Sequence, residues 1–320
     1  GNFFQNDVSF ILTNRGFCAN IAVENPHWSK LGGSVRPGQS LLWNYGGDHM
    51  QKLSLNGPWT LQVVGEMEQI PATVPGSVYH DLLSAGKIED PFWRDNENRL
   101  LPLMENDFRY SRKFTVDREL FNCPVILLNC QGMDTLADIR VNGVLVGSCR
   151  NMHRVWEFRV KDALREGENE IEVVFHSPTK YIREAYEEAV ADGADDAMKG
   201  FPHLRKAHCM FGWDWGPRLP DAGIWRDISI IGLTEGMLKS VFITQKHTDG
   251  KVTLRFQPET AYVPEKGNAE FVATVTAPDG TVVASGPAQD GLVIEKPELW
   301  WPNGYGKHPL YTVTVEYRSA

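Results

Sequence analysis

The chain has 320 residues and a mass of 36.0 kDa, which is about twice the length of a typical domain, so two domains are expected. The hydrophobic fraction of 42% suits a soluble globular protein, and no apolar run reaches the roughly 18 residues of a membrane span. The net charge of −9 comes without a basic stripe, which argues against a nucleic acid as partner, and without a membrane span no membrane partner is predicted either.

Residues 1–49 differ from the rest of the chain. Glycine and proline punctuate the segment, its charges cancel, and no period of 2 or 3.6 residues is sustained. Clear patterning begins only at Met50. We therefore interpret Met50 as the natural start and residues 1–49 as an irregular extension of upstream or non-native origin. A genuine N-terminal arm is the alternative.

Residues 50–236 predict a first β domain. Short runs rich in β-branched and aromatic residues are predicted as strands at 53–64, 108–116, 125–129, 135–141, 144–149, 170–175 and 224–231. Asn142-Gly143 is the strongest hairpin signal, because this pair supplies the two positive φ angles of a type I′ turn. Many short strands separated by turns predict a sandwich of the jelly-roll type.

Two helices are predicted within this domain, over residues 77–85 and 177–192. Each begins with a serine, which suits the N-cap, and the longer helix has Pro178 at its first helical position. The longer helix also carries an apolar face, which is expected to pack on another element. That face consists of Tyr181, Ile182, Ala185, Tyr186, Ala189 and Val190.

Residues 237–320 predict a second β domain. Strands are predicted at 241–245, 252–256, 269–275, 282–285, 292–295 and 310–317, with a turn at Asp279-Gly280. The alternation is typical of an immunoglobulin-like sandwich, although it has one strand fewer than the roughly seven that are usual, so the domain is expected to be truncated. The predicted class is thus all-β, with a jelly roll followed by an immunoglobulin-like sandwich.

The cysteines indicate a reducing environment. The chain has five, an odd number without a CxxC pair, which does not resemble a disulfide framework. No Asn-x-Ser/Thr acceptor and no export signal occur in the sequence. We therefore expect free thiols and a cytoplasmic location.

Common catalytic and metal-binding signatures are missing. The sequence contains no P-loop, no GxGxxG after a strand, no HExxH and no GxSxG. His203, His208 and Cys209 fit no common zinc spacing, so neither a metal nor a cofactor is predicted. Glycoside hydrolysis needs two facing carboxylates. Asn96-Glu97 and Asn169-Glu170 superficially resemble such groups, but we interpret both as solvated surface residues and predict no catalytic pair.

The most informative segment is the loop Trp213-Asp214-Trp215, which Gly212 and Gly216-Pro217 bracket. Two indoles beside a carboxylate suit a sugar, because indoles cover its apolar C–H surface and the carboxylate accepts hydrogen bonds from adjacent hydroxyls. The 10 tryptophans of the chain agree with such a role. The alternative is a loop that buries its tryptophans in the sandwich.

Residues 50–320 resemble the N-terminal part of the β-mannosidases, in the glycoside hydrolase family that also contains β-galactosidase and β-glucuronidase. Leu299-Trp300-Trp301-Pro302-Asn303-Gly304 marks the wider family, and the Gly-Trp-Asp-Trp-Gly-Pro loop together with the helix at 177–192 favours the β-mannosidase branch. Phe108 stands where relatives often have Trp. The other matching stretches are Leu55-Asn56-Gly57-Pro58-Trp59, Val74-Pro75-Gly76-Ser77-Val78, Asp90-Pro91-Phe92, Asp107-Phe108-Arg109-Tyr110, Gly132-Met133-Asp134-Thr135, Asn142-Gly143 and Asn151-Met152.

The resemblance implies a retaining exo-β-mannosidase in which a (β/α)₈ barrel supplies two glutamates as acid/base and nucleophile. This barrel is absent from the sequence, so the chain alone is expected to be inactive and the missing C-terminal barrel is its implied partner. The resemblance also implies that Trp213, Asp214 and Trp215 contact the terminal mannose of a β-mannoside oligosaccharide or glycoconjugate, with Asp214 accepting hydrogen bonds.

Three alternatives stay open. The chain could belong to a β-galactosidase, β-glucuronidase or exo-glucosaminidase relative, or it could be a stand-alone carbohydrate-binding module. In the third alternative the loop only props one domain against another. Activity of the full-length product on several glycosides, together with the length of its reading frame, separates the first two.

Overall fold

The computed structural model describes residues 4–10, 23–24, 50–214, 216–234, 236–262 and 269–319. The chain divides into two compact units, of which one is Gln51–Gly232 and the other combines Gly1–Met50 with Leu233–Ala320. Strands dominate both units, which confirms the all-β class. No helix within the described residues is both long and apolar enough to cross a membrane.

The described strands, in chain order, are β1 (Phe4–Phe10), β2 (Val23–Glu24), β3 (Met50–Ser54), β4 (Gly57–Val63), β5 (Gln69–Val74), β6 (Phe108–Val116), β7 (Val125–Cys130), β8 (Met133–Asp134), β9 (Leu136–Val141), β10 (Val144–Arg150), β11 (Trp156–Arg159), β12 (Gly167–Phe175), β13 (Phe211–Trp213), β14 (Gly216–Arg218), β15 (Gly223–Ile224), β16 (Ile228–Leu233), β17 (Met237–Thr248), β18 (Lys251–Tyr262), β19 (Ala269–Thr276), β20 (Val282–Pro287), β21 (Leu292–Ile294) and β22 (Tyr311–Ser319). The α-helices are α1 (Val78–Ser84), α2 (Asn96–Leu100), α3 (Arg118–Asn122) and α4 (Pro178–Glu188). Short 3₁₀ turns cover Leu101–Glu105, Lys161–Ala163, Phe201–His203, His208–Met210 and Ala288–Asp290.

The unit Gln51–Gly232 is a sandwich of two sheets. A six-stranded sheet has the order β10-β9-β12-β6-β4-β5, and a four-stranded sheet has the order β11-β7-β16-β3. Buried side chains alternate along β6 and β12, as expected for a sheet with one face on the core. Residues of both sheets form one core, with Leu61, Tyr110 and Phe175 fully buried. The predicted jelly-roll sandwich is confirmed.

Local sequence patterns predict strand β6 and the Asn142-Gly143 turn correctly, but they miss a break within the strand predicted at 53–64. The strand predicted at 108–116 is β6, and Asn142 and Gly143 have φ angles of 50° and 80°, as the type I′ turn requires. The single strand predicted at 53–64 is instead broken between β3 and β4. Gly57 has a φ of 109°, and the Asn56 side chain donates to Asp227 Oδ1 at 2.8 Å. The chain therefore turns at Asn56-Gly57, although the local sequence pattern predicts a continuous strand there.

The two predicted helices form with changes at their ends. Ser177 caps α4 as predicted, since its Oγ accepts a hydrogen bond from the Lys180 amide at 3.0 Å. Ile182 is buried, whereas Val190 lies beyond the end of α4 and is 71% exposed, so only part of the predicted apolar face packs. Ser77 occupies the N-cap position of α1, but its side chain makes no capping hydrogen bond.

The other unit contains a second β-sandwich. One sheet has the order β2-β1-β22-β19-β20 and the other the order β17-β18-β21, with buried residues of both in one core. Strand β1 pairs antiparallel with β22 along its length, from Phe4↔Tyr317 to Phe10↔Tyr311. The structure therefore differs at residues 4–10 from the irregular extension expected there. The backbone partner of β1 is β22, at the far end of the chain, so the local sequence around residues 4–10 does not predict this strand.

Candidate functional site

Strands β13 and β14 form a short antiparallel hairpin, in which Phe211 pairs with Arg218 and Trp213 with Gly216. We call these two strands, together with Asp214, the Trp213 hairpin. Trp213 is 42% exposed and Asp214 is also exposed, so two of the three predicted sugar-contacting residues lie at its tip. The third, Trp215, lies outside the described residues. For Trp213, the structure does not support a loop that buries its tryptophans.

The base of the Trp213 hairpin is anchored in a small apolar cluster. Phe211 is fully buried there, with its ring centroid 6.0 Å from that of Phe201. The Met198 amide donates a hydrogen bond to the Phe211 carbonyl at 2.9 Å. The buried members of the cluster are Leu136, Ile182, Phe201, Leu204 and Phe211. The hairpin therefore has a buried base and an exposed tip.

The two glycines that bracket the loop have different roles. Gly212 has a φ of +92°, and a Cβ atom there would lie 2.5 Å from Arg218 Cγ. A side chain at this position is therefore disfavoured both by conformation and by contact. Around Gly216 a Cβ atom would meet nothing within 4 Å, and its φ is not in the left-handed region. Only Gly212 is required by the geometry of the hairpin.

Arg218 at the end of β14 is bound by Glu97 of α2. The Arg218 Nε and Nη2 atoms donate to Glu97 Oε1 at 3.2 and 2.9 Å, and the Arg218 amide donates to Oε2 at 3.0 Å. Only 21% of the Glu97 side chain is exposed. The prediction that Asn96 and Glu97 are solvated is therefore wrong, since Asn96 is also only 2% exposed. The partner of Glu97 lies 121 residues away in sequence, which is why the local charge pattern does not reveal it.

The segment that leads into the hairpin is fixed by a buried charge. Lys206 is 2% exposed; its Nζ contacts the Asp134 carboxylate and donates to the Asp221 carbonyl at 2.7 Å. Burial also raises the pKa of the Asp221 carboxyl, against hydrogen bonds from Ser77, Tyr79 and Ala222 that lower it. Breaking such a buried pair is costly, so Lys206 holds this segment firmly.

The remaining candidate residues of the sequence analysis contact the protein itself or lie on its surface. Asn169 is fully buried, and its Oδ1 accepts hydrogen bonds from Asn142 and from the Arg165 amide, whereas Glu170 is exposed as predicted. His203 Nε2 lies 2.7 Å from the Ala189 carbonyl. Among the residues that the structure describes, no group of three or more His, Cys, Asp or Glu could hold a metal ion.

The tip of the hairpin has the groups needed to bind a polyol. No hydrogen bond from another described residue reaches the Asp214 carboxylate, and Arg218, the nearest cation along the hairpin, is already bound to Glu97. An exposed carboxylate accepts hydrogen bonds from adjacent hydroxyls, and an exposed indole offers an apolar face. Trp213 and Asp214 together could therefore contact one sugar ring.

Comparisons with known proteins identify the family of the chain. Residues 59–226 match the family model described as glycosyl hydrolase 2 galactose-binding domain-like. The chain is 28% identical over 284 residues to the β-mannosidase of Bos taurus and 30% identical over 289 residues to the probable β-mannosidase of Caenorhabditis elegans. These alignments cover 82% of the chain but 32% of each relative, so the chain spans about a third of their length.

Solved structures give the same result. The crystal structure of the β-D-mannosidase from Dictyoglomus thermophilum is 32% identical, with a TM-score of 0.71 over 83% of this chain and 34% of that one. The β-D-glucuronidase from the same organism is 15% identical with a TM-score of 0.54, over 86% of this chain and 44% of that one, and shows the fold alone. The chain belongs to the glycosyl hydrolase 2 family through its galactose-binding domain-like unit, and its resemblance to the N-terminal region of β-mannosidases is confirmed.

Proposed function

We propose that the chain is the non-catalytic N-terminal portion of a retaining exo-β-mannosidase and that the Trp213 hairpin forms one wall of its terminal sugar subsite. The substrate would be a β-mannoside oligosaccharide or glycoconjugate. Relatives named as β-mannosidases support the substrate class. The observation that carries the proposal is an exposed indole and an exposed carboxylate at the tip of a hairpin whose base is buried.

The rigid base explains how this hairpin could contribute to binding. A sugar-binding group that is already held in place loses little conformational entropy when the ligand arrives. Asp214 would accept hydrogen bonds from two adjacent mannose hydroxyls, and Trp213 would cover the apolar face of the ring. By resemblance, Trp215 would contact the same sugar. The remaining walls would come from the C-terminal barrel.

The same barrel would carry the chemistry. Retaining hydrolysis uses two carboxyl groups about 5 to 5.5 Å apart across the glycosidic bond, one as acid/base and one as nucleophile. We assign no residue of this chain to either role. The 320-residue chain alone is therefore expected to bind mannose weakly and to hydrolyse nothing.

We propose a reducing, cytoplasmic location on the state of the cysteines. All four cysteines in the described part of the chain are free thiols. Burial raises the pKa of Cys149 to about 12 and also raises that of Cys130, so both thiols stay protonated and unreactive. Thiols of this kind need no oxidising compartment.

The substrate class is tested with the full-length product of the gene that encodes this chain. Its kcat/KM is measured on aryl β-mannoside, β-galactoside, β-glucuronide and β-glucosaminide. The proposal predicts that the β-mannoside is preferred by at least about tenfold, which corresponds to about 1.4 kcal/mol of differential transition-state binding. A preference for another sugar would mean that the chain belongs to a related glycosidase and not to a β-mannosidase.

A second result would move the chain to a different class. If the reading frame ends at Ala320 and the chain binds mannose tightly by itself, a stand-alone carbohydrate-binding module is the better account. If the 320-residue chain hydrolyses an aryl mannoside and loses that activity on Asp214→Ala, the proposal that this chain is non-catalytic is wrong.

A further inference from the structure

The pair Glu97–Arg218 stands out because Arg218 belongs to the Trp213 hairpin, where it pairs with Phe211, two residues before Trp213. We propose that Glu97 and Arg218 are positioning residues that set the tip of the Trp213 hairpin for sugar binding. The inference rests on the proposed function of the hairpin. It concerns how the wall is held, and neither residue is assigned a contact with substrate.

The contact fixes side chain and backbone together. Glu97 Oε1 accepts from the Arg218 guanidinium through Nε and Nη2, while Oε2 accepts from the Arg218 amide at 3.0 Å. Asn98 Oδ1 accepts a further bond from Nη2. Charge-assisted bonds to both carboxylate oxygens define one orientation much better than a single contact would. The end of β14 is therefore held in position by α2.

The anchoring extends across the hairpin to the residue before Trp213. The Arg218 side-chain stem crosses Gly212, where a Cβ atom would come within 2.5 Å of Cγ. Gly212 is in the left-handed region with a φ of +92°, so its peptide sets the direction in which the chain continues. A displaced Arg218 stem would free this peptide, and the tip with Trp213 and Asp214 would move with it.

Helix α2 is itself fixed, so Glu97 does not depend on the hairpin for its place. Asn96 beside it is 2% exposed and donates from Nδ2 to the Asp90 carbonyl at 2.8 Å. By contrast, 35% of the Arg218 side chain remains exposed. An ion pair this close to solvent adds little to global stability. Its loss should therefore alter the hairpin without unfolding the domain.

Positioning by the pair predicts two linked effects of Glu97→Gln. The amide keeps the shape of the side chain but loses the charge and one of its two acceptor oxygens. In the 320-residue chain, hydrogen exchange of the amides in β13 and β14 should accelerate by about tenfold, with the urea midpoint unchanged. In the full-length protein, kcat/KM should fall by about 10- to 100-fold, since misplacing a group by about 1 Å costs this much.

Two further variants sharpen the test. Arg218→Lys keeps the positive charge but loses the planar fork, so it should act like Glu97→Gln. Glu168→Gln removes an exposed carboxylate that pairs with Lys113 at 3.2 Å and touches no part of the hairpin, so it should change neither readout. Positioning also predicts that the loss lies mainly in kcat, because a misplaced wall weakens the transition state more than the ground state.

The outcomes separate the two proposals. Faster hairpin exchange together with a lower kcat/KM supports the positioning role. Unchanged exchange, or faster exchange with unchanged kcat/KM in an enzyme that Asp214→Ala impairs, overturns it while the function stands. If Asp214→Ala leaves kcat/KM unchanged, the proposed function of the hairpin fails, and the positioning role in sugar binding fails with it.

Discussion

Two tight turns of the same unit use their polar residues in opposite ways. At the turn between β9 and β10, Asn142 donates to the Ala163 carbonyl and to Asn169 Oδ1, both at 2.8 Å, and its Oδ1 accepts from the Glu170 amide at 3.0 Å. Its side chain is thus fully occupied by the protein. At the tip of the Trp213 hairpin, the Asp214 carboxylate receives no hydrogen bond from another described residue.

The difference agrees with the role proposed for the Trp213 hairpin. In the first turn, the polar residue at the bend itself holds neighbouring segments together. In the Trp213 hairpin, the stabilising contacts lie behind the tip, at Phe211, Arg218 and Lys206, and no other residue that the structure describes donates a hydrogen bond to the polar residue at the bend. A turn built for stability uses its own polar groups, whereas a turn that presents groups to a ligand is held by others.

The largest expected effect comes from the buried pair behind the hairpin. Lys206→Met leaves the Asp134 carboxylate buried without its cation, so we expect the free energy of unfolding to fall by about 3 to 5 kcal/mol. Urea unfolding followed by circular dichroism measures this. Lys113→Met, at a cation that is 67% exposed, is the control and should change stability by less than about 0.5 kcal/mol. Equal effects would mean that Lys206 is no anchor.

Truncating the polar residue of each turn should affect stability to very different extents. Asn142→Ala removes three hydrogen bonds and places alanine at a φ of 50°, so a loss of about 2 to 3 kcal/mol of unfolding free energy is expected. Asp214→Ala should change stability by no more than about 0.5 kcal/mol. A large destabilisation by Asp214→Ala would mean that its carboxylate is a structural group after all.

Substitutions of the two hairpin glycines should have smaller effects on stability, and one serves as the control for the other. Gly212→Ala meets both the positive φ and the Arg218 stem, so a loss of about 1 to 2 kcal/mol is expected, with faster hydrogen exchange in β13 and β14. Gly216→Ala should stay within about 0.5 kcal/mol of the wild type, since nothing occupies the space beside it. Identical behaviour of the two variants would contradict a hairpin whose direction is set at Gly212.

The smallest expected effect is a pH dependence of the free energy of unfolding, which arises from His176. His176 lies between Asp107 and Asp138, with ring nitrogens 3.1 and 3.2 Å from their carboxylates. Burial tends to lower the pKa of His176, but the hydrogen bonds and charges of the two aspartates outweigh it, so the pKa is raised. The stabilisation is complete below about pH 6.5, the ordinary histidine value, and is lost as pH rises through the raised value.

This dependence is measured by urea unfolding between pH 6 and 9. Because 43% of the His176 side chain is exposed, solvent screens the contacts and the loss should stay below about 1 kcal/mol. His176→Gln should make the profile flatter by that amount. A stability that rises over the same range in the wild type, or a profile that the variant leaves unchanged, would contradict the assignment.

Local chemistry explains which parts of the fold could be predicted from the sequence. The Asn142-Gly143 turn and strand β6 depend on backbone preference and on alternation, which a short window contains. The β3–β4 break and strand β1 depend on partners far along the chain, Asp227 for Asn56 and β22 for β1, so the local pattern cannot show them.

The candidate site divides in the same way. The pattern of Trp213 and Asp214 between glycines predicts a sugar-contacting loop, because these residue types carry the sugar chemistry. The supports do not appear in the pattern. From the sequence, Glu97 is interpreted as a surface charge and no motif marks Lys206, because their partners, Arg218 and Asp134, are brought close only by folding. A buried lysine or a bidentate carboxylate is defined by its neighbours and not by its sequence context.

The central claim is that the hairpin contributes Asp214 to a sugar subsite completed by another part of a β-mannosidase. The most direct test measures kcat/KM for an aryl β-mannoside in the full-length protein carrying Asp214→Ala, beside a mannose titration of the 320-residue chain by NMR. We predict a loss of about 100-fold or more, as expected for charge-assisted hydrogen bonds of about 1.5 to 3 kcal/mol each, together with weak binding by the chain alone. Unchanged kcat/KM with tight mannose binding by the isolated chain would contradict the account.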